Sequence, residues 1–321
     1  MKAAVYYENG GPEVLRYEDV PDPKCPPNGV VIDVRAVGIE GGDVLNRAGG
    51  ALAARPHVVG YNCAGVVAEV GPQVTDRKVG DRVTALMFHG SHAARAAVPS
   101  GQTWLVPDGV SFEAASCVPV AWGTAHDCVH EFGHLQRGEK VLVQAGSSGV
   151  GVACVQLAKR AGATVFATGS GAKLERLTKL GVDHGIDYLE TDFVAAIQEL
   201  TGGKGVDLVV DPVGGDTLQR SLLCLAYRGR AITVGNVSRG NLKIDPAPLS
   251  AGNRSLTGVF LGAETVMGAA RVRAMLDGIL ADLARGELQP VIDRTFPLAE
   301  AAAAHAYIES RAPFGRVVLV P

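Results

Sequence analysis

The chain has 321 residues, 47% hydrophobic and 20% charged, with 30 Lys and Arg against 33 Asp and Glu for a net charge of −3. At roughly 150 residues per domain this suggests about two domains with ample apolar material for packed cores. The slight acidic excess argues against a nucleic-acid partner, and six scattered cysteines argue against a disulfide scaffold.

The opening MKAAVYYENGG carries no long apolar run, and no uncharged apolar stretch of 18 residues follows. The expectation is a cytoplasmic protein with no membrane partner. Glycine, at 41 residues, is roughly twice as frequent as usual, which points to tight turns and close backbone approaches.

In chain order, the first 120 residues read as short strands punctuated by Gly and Pro: Val30–Val34, Gly65–Val70, Arg82–Leu86 and Trp104–Val106, with a break from Gly38 to Gly42. From Glu139 apolar strands alternate with helices. Strands are predicted at Lys140–Gln144, Thr164–Thr168, Asp207–Asp211 and Arg230–Val234, and helices at Gly149–Ala161, Ala172–Leu180 and Asp216–Leu225. This alternation predicts an α/β fold, a doubly wound parallel sheet covered on both faces. A long helix over Thr265–Arg285, a strand near Val291, a helix over Ala299–Ser310 and a strand Val317–Val320 follow. The closing strands suggest that the C-terminus returns to the β-rich first domain.

The predicted strand Lys140–Gln144 runs into Ala145-Gly146-Ser147-Ser148-Gly149-Val150-Gly151 and then a helix. Small residues let the backbone approach a pyrophosphate, and a helix N-terminus offers unbonded N–H groups and a partial positive charge. The Gly-x-Gly-x-x-Gly fingerprint is present as Gly146, Ser148 and Gly151, with Ser at the middle glycine. An acid about 20 residues on would bind the ribose 2′-hydroxyl. Instead Ser170, Lys173 and Arg176 follow the second strand, a pattern suited to a 2′-phosphate and so to NADP(H).

His126, His130 and His134 recur every four residues with acids between them, but they do not form His-Glu-x-x-His and Gly133 weakens the helix beneath them. They are read as a helix face. No Cys-x-x-Cys pair occurs, so no metal is expected.

Together, the β-rich front, the Ala145–Gly151 loop, Gly80-Asp81-Arg82-Val83, Asp43-x-x-x-Arg47-x-Gly49, Val234-Gly235-Asn236, the segment from Pro290 to Ala301 and Gly315-Arg316-Val317-Val318-Leu319 resemble the medium-chain dehydrogenases/reductases. More narrowly, the chain resembles their zinc-independent quinone oxidoreductase branch over essentially its whole length. The resemblance implies a GroES-like catalytic domain at 1–122, a Rossmann dinucleotide-binding domain at 123–261 and a return to the catalytic domain at 262–321. Zinc-dependent relatives place a Cys and a Gly-His-Glu where this chain has Gly38-Ile39-Glu40 and Gly60-Tyr61-Asn62. Zinc-assisted alcohol oxidation therefore falls away, leaving hydride delivery from NADPH to a quinone, an enone or an enoyl thioester.

By the same resemblance, the cofactor contacts are Thr124, Gly146, Ser147, Ser148, Gly149, Val150, Gly151, Ser170, Lys173, Tyr188, Asn236, Phe260 and Arg316, the last as a basic residue at the phosphate. At the substrate end the chain departs from the branch: Glu40-Gly41 replaces Asn-Pro, Gly50-Ala51 stands where many members carry a tyrosine, and His92 replaces an aromatic. Tyr61, Glu40 and His92 are the candidate proton donors, with Asp43 read as structural, a partner for Arg47. A homodimer through Ser255–Leu261 is expected from the family and from the open sheet edge. Two alternatives stay open: a non-catalytic NADPH-binding protein and a zinc-dependent alcohol dehydrogenase.

Overall fold

A computed structural model describes residues 1–238, 240 and 243–321. The chain divides into two units, one formed by Met1–Gly123 with Thr265–Pro321 and the other by Thr124–Glu264.

The first unit is built on the ten-residue strand Gly29–Gly38. It pairs antiparallel with Asn62–Val70, with Arg95–Pro99 and, through Val318 and Leu319, with Arg316–Val320 at the far end of the chain. The C-terminal strand thus joins a sheet begun some 280 residues earlier, setting Arg316 beside the segment after Gly38. The core beneath holds Val30, Ile32, Val67, Val83, Phe296 and Leu319. A three-stranded sheet of Lys2–Tyr6, Arg16–Asp19 and His57–Val58 flanks it. Where the sequence suggested only a break, the structure has a helix, Gly41–Gly49. Two adjacent glycines hide it, but the Asp43 carboxylate accepts from the Glu40 N–H (2.8 Å) and closes its first turn.

The second unit is a six-stranded parallel sheet. Its strands in chain order are Lys140–Val143, Thr164–Gly169, His184–Asp187, Val206–Asp211, Leu225–Thr233 and Ser255–Gly258. They lie in the spatial order 3-2-1-4-5-6. Burial is nearly continuous along the first, second and fourth strands, as expected of parallel strands covered on both faces. Leu142, Phe166, Ile186, Ile197, Val209 and Leu222 fill one side. The strand order reverses between the first and fourth strands, and doubly wound sheets bind ligands at the carboxyl ends of the strands at such a point.

Two helix predictions need correction. The long helix is two, Leu261–Met267 and Ala269–Ala284, parted at Gly268, whose backbone (φ −118°, ψ 30°) is not helical. The histidine segment is not one regular helix: Gly123–His126 lies between wide π-turns at Val118–Trp122 and Asp127–Glu131. His126 and His130 rings meet with centroids 4.8 Å apart, while His134 lies beyond the helix in a left-handed conformation (φ +46°).

Candidate active site

The loop Ala145–Gly151 leaves the first strand of the second unit and enters the helix Gly149–Arg160. Ser148 caps that helix, its Oγ accepting from the Gly151 N–H at 3.0 Å. Gly149 and Val150, the first helical positions, have N–H groups that the helix's own ladder cannot reach. Gly151 cannot carry a side chain, because a Cβ there would run into the Ala145 carbonyl. A Cβ on Gly146 would lie 2.9 Å from that of Ala167 on the neighbouring strand. The middle position tolerates serine because its hydroxyl serves as the cap. What results is a narrow backbone cradle at a helix N-terminus, which fits a pyrophosphate.

The ends of the next two strands meet beside it. Asp187, closing the third strand, accepts from Gly171 N (2.8 Å) and Leu189 N (3.0 Å), and Tyr188 N donates to Gly169 O (3.2 Å). These bonds tie the turn bearing Ser170 and Lys173 to the turn bearing Tyr188, whose ring is half exposed. Lys173 opens the helix Lys173–Lys179. The end of the second strand carries a hydroxyl, Ser170, and a cation, Lys173, and the neighbouring carboxylate, Asp187, accepts from backbone N–H groups. That donor set fits a 2′-phosphate, and the residues present fit NADP(H).

Past the fifth strand, the Asn236 amide is engaged in its own turn, accepting from Ser238 Oγ (3.0 Å) and donating to Gly240 O (3.1 Å). Phe260 is exposed beside a cavity of about 420 Å³, lined also by Leu218, Thr233, Gly235, Leu256 and Val259. Thr124, at the start of this unit, is nearly buried.

Three of the sequence-derived site residues lie in the first unit in roles unlike those expected. Arg316 is not an open cation awaiting a phosphate. It is buried, and both its terminal nitrogens donate to the two oxygens of Glu40, one of them at 2.8 Å. Burial works against its charge, but Glu40 and the adjacent Cys117 sulfur outweigh burial and hold the guanidinium above its ordinary value. The same pair corrects the reading of Glu40 as a proton donor, since both carboxylate oxygens are occupied in accepting from the buried guanidinium.

His92 is also corrected, being fully buried. Its Nε2 lies 3.1 Å from His305 Nε2, and His305 Nδ1 lies 3.1 Å from Arg47 NH1. Arginine only donates, so His305 Nδ1 accepts, its Nε2 carries the proton, and His92 Nε2 accepts in turn. Burial pushes His92 down to about 3, so the ring is neutral and faces the interior. Nor does Arg47 pair with Asp43: its other N–H groups go to Glu309 (2.8 Å) and Gly10 O (3.2 Å).

Tyr61 differs. Its hydroxyl accepts from Asn46 Nδ2 at 2.9 Å, which leaves its own proton for another acceptor. Burial, with the charges of Asp43 and Glu40 and the nearby Tyr6, pushes it up to about 12, so it stays protonated at ordinary pH. A zinc ion does not fit here, because Glu40 is held by Arg316 and the Asn62 amide donates to Gly38 O (2.6 Å). Among the described residues no group of three or more His, Cys, Asp or Glu side chains stands together to hold a metal.

A Rossmann sheet with a dinucleotide cradle, joined in one chain to a GroES-like unit, defines an oxidoreductase of the nicotinamide class. The family model "Alcohol dehydrogenase GroES-like domain" matches residues 26–109, and "Zinc-binding dehydrogenase" matches 149–281. Over its full length the chain is 35% identical to a 2-haloacrylate reductase of Burkholderia sp, covering 99% of that protein. It is 34% identical to a synaptic vesicle membrane protein VAT-1 homolog of Danio rerio, over 90% of this chain and 63% of that longer protein. The crystal structure of Escherichia coli quinone oxidoreductase complexed with NADPH superposes with a TM-score of 0.94 at 29% identity, covering 100% of both chains. The chain belongs to the medium-chain dehydrogenase/reductase superfamily, in its quinone oxidoreductase branch. Among the described residues, no helix is long and apolar enough to cross a membrane.

Proposed function

We propose that this chain is an NADPH-dependent, zinc-independent reductase of quinones or of activated carbon–carbon double bonds such as enones and enoyl thioesters. The carrying observation is the pairing of a glycine-tight loop with a second-strand end that presents Ser170 and Lys173 and no open carboxylate. The Burkholderia relative, named for reducing a haloacrylate, supports the double-bond side of the range.

NADPH, when bound, supplies a hydride to the electrophilic carbon. Gly149 and Val150 N–H groups bind the pyrophosphate, Ser170 and Lys173 the 2′-phosphate, and Tyr188 packs against the adenosine end. Thr124, Asn236 and Phe260 belong to the nicotinamide end. Tyr61 holds a proton at its phenol oxygen, oriented by Asn46, for the reduced product. A quinone, whose reduced form takes protons from water, can dispense with it.

The test is NADPH and NADH oxidation by the purified protein against a quinone, a cyclic enone and an enoyl thioester. Turnover favouring NADPH is expected; tighter binding of NADH overturns the reading. Lys173→Ala should raise the NADPH Michaelis constant about tenfold or more, the value of a charge-assisted phosphate contact of roughly 1.5–3 kcal/mol. The Michaelis constant for NADH should barely move, and equal effects on both would count against the assignment.

One observation favours a second reading, a non-catalytic NADPH-binding protein: two of the three candidate acids, Glu40 and His92, are sealed inside the first unit. Tight NADPH binding without turnover of any of the three acceptors would support it. The open edge strand Ser255–Gly258 also suits a homodimer, which sedimentation as a monomer at micromolar concentration would remove. A cytoplasmic location accords with the same reading.

A further inference from the structure

Beneath the phosphate cradle runs a chain of four buried polar side chains that no sequence motif marks. At one end, Asp211 closes the fourth strand of the sheet, and its Oδ1 accepts from Val213 N and Gly214 N, each at 2.8 Å. Its Oδ2 accepts from Ser221 Oγ at 3.0 Å. Ser221 Oγ accepts from Gln144 Nε2 at 3.0 Å, and Gln144 Oε1 accepts from Thr168 Oγ1 at 2.8 Å. Thr168 Oγ1 accepts from Ala145 N at 3.0 Å, and the Thr168 carbonyl accepts from Gly146 N at 2.8 Å. Asp211 and Ser221 are fully buried, and Gln144 and Thr168 are nearly so.

Every proton in this chain is directed from one end. An ionised carboxylate only accepts, so the Ser221 hydroxyl points at Asp211 and its lone pair faces Gln144. The Gln144 amide then presents its oxygen to Thr168, the Thr168 proton goes to that oxygen, and a lone pair is left for the Ala145 N–H. Ala145 is the residue that needs holding, because its φ of +49° is a left-handed conformation that a side chain disfavours. The far end holds the turn at Val213 and Gly214, where a Cβ on Gly214 would run into Asn236 Oδ1. The chain therefore links the two turns that flank the reversal point of the sheet.

We propose that Asp211, Ser221, Gln144 and Thr168 form a single positioning relay that holds Ala145 in its left-handed turn and thereby presets the pyrophosphate cradle. It rests on the reading that the loop binds NADP(H). The relay acts on the part common to both nucleotides, so it sets affinity for NADPH and NADH alike, whereas Lys173 separates them.

The test is a double-mutant cycle with Thr168→Val and Ser221→Ala, read by equilibrium binding of NADPH and NADH and by amide hydrogen exchange at Ala145. Thr168→Val should weaken both nucleotides about tenfold, the loss expected when a buried donor loses its acceptor. Thr168→Ser should restore affinity, and kcat at saturating NADPH should change little. Ser221→Ala, two links away, should speed Ala145 amide exchange and weaken both nucleotides, and the double variant should be no weaker than the more affected single variant. Fully multiplying effects, or unchanged Ala145 exchange in Ser221→Ala, overturn the relay. If the wild-type protein binds neither nucleotide, the cofactor reading fails first and takes the relay with it.

Discussion

Replacing Glu40 by alanine is expected to lower the stability of the first unit by about 3–5 kcal/mol, the usual cost of leaving one member of a buried ion pair alone. Arg316 is only 6% exposed and both its terminal nitrogens point at Glu40, so the variant leaves a guanidinium facing protein and a cavity rather than water. Arg316→Leu should be comparably damaging, because it leaves the Glu40 carboxylate beside the buried Asp43 with no cation to offset either. The double replacement Glu40→Leu with Arg316→Leu removes both charges and should recover most of the loss. Denaturant midpoints followed by tryptophan emission measure this cleanly. The chain's two tryptophans, Trp104 and Trp122, are buried and both belong to the first unit, so their emission reports that unit. If Glu40→Ala leaves the midpoint where it was, the pair is not closed in solution and Arg316 returns as a candidate phosphate ligand.

That pair also marks the limit of what could be read along the chain. The second unit was legible because its information is local. Each strand is a short apolar run, each turn carries glycine, and the cradle needs small residues within seven consecutive positions. The proposal for Ser170 and Lys173 rests on the same local logic. The first unit hides its chemistry in distance. Glu40 and Arg316 are 276 positions apart, and His92 and His305 are 213 apart. Neither residue of a pair signals its partner, and an isolated Glu, His or Arg reads as an open functional group until the fold closes on it. The helix Gly41–Gly49 was missed for a different reason: low helix propensity of paired glycines was outweighed by the Glu40–Asp43 cap and by burial of Val44 and Arg47. The relay under the cradle was invisible because Gln144, Thr168 and Ser221 are ordinary residues whose meaning lies in their hydrogen bonds. The one local hint was a polar pair, Gln144 and Thr168, at the ends of otherwise apolar strands.

Between pH 6.5 and about 3 the first unit should lose stability progressively, because it buries two neutral histidines. Burial pushes His92 down to about 3 and pushes His305 well below its ordinary value of 6.5, with the Arg47 guanidinium and the His92 ring adding to the effect on His305. Both rings bind protons less readily folded than unfolded, so the unfolded chain takes them up first as the pH falls through 6.5, and the balance moves toward unfolding. Each such group contributes a slope of about 1.4 kcal/mol per pH unit once well below 6.5, so the pair together reaches roughly 2–3 kcal/mol per unit. The groups facing the rings are Ser91, the Val59 backbone, whose hydrogen bond to His92 works weakly against burial, Arg47 and, through Arg47, Glu309. None can take the charge off a protonated ring without breaking an existing bond. His57, also buried, runs the same way, while Asp43, raised well above its ordinary value by burial, runs the opposite way and offsets part of the loss. The double variant His92→Leu with His305→Leu separates these contributions. Tryptophan-monitored denaturation from pH 7.5 to 4.5 should give a steep wild-type decline and a much flatter one for the variant. Equal slopes in the two proteins would mean that the histidines are charged or exposed in solution, and the tautomer chain from Arg47 to His92 would then be wrong.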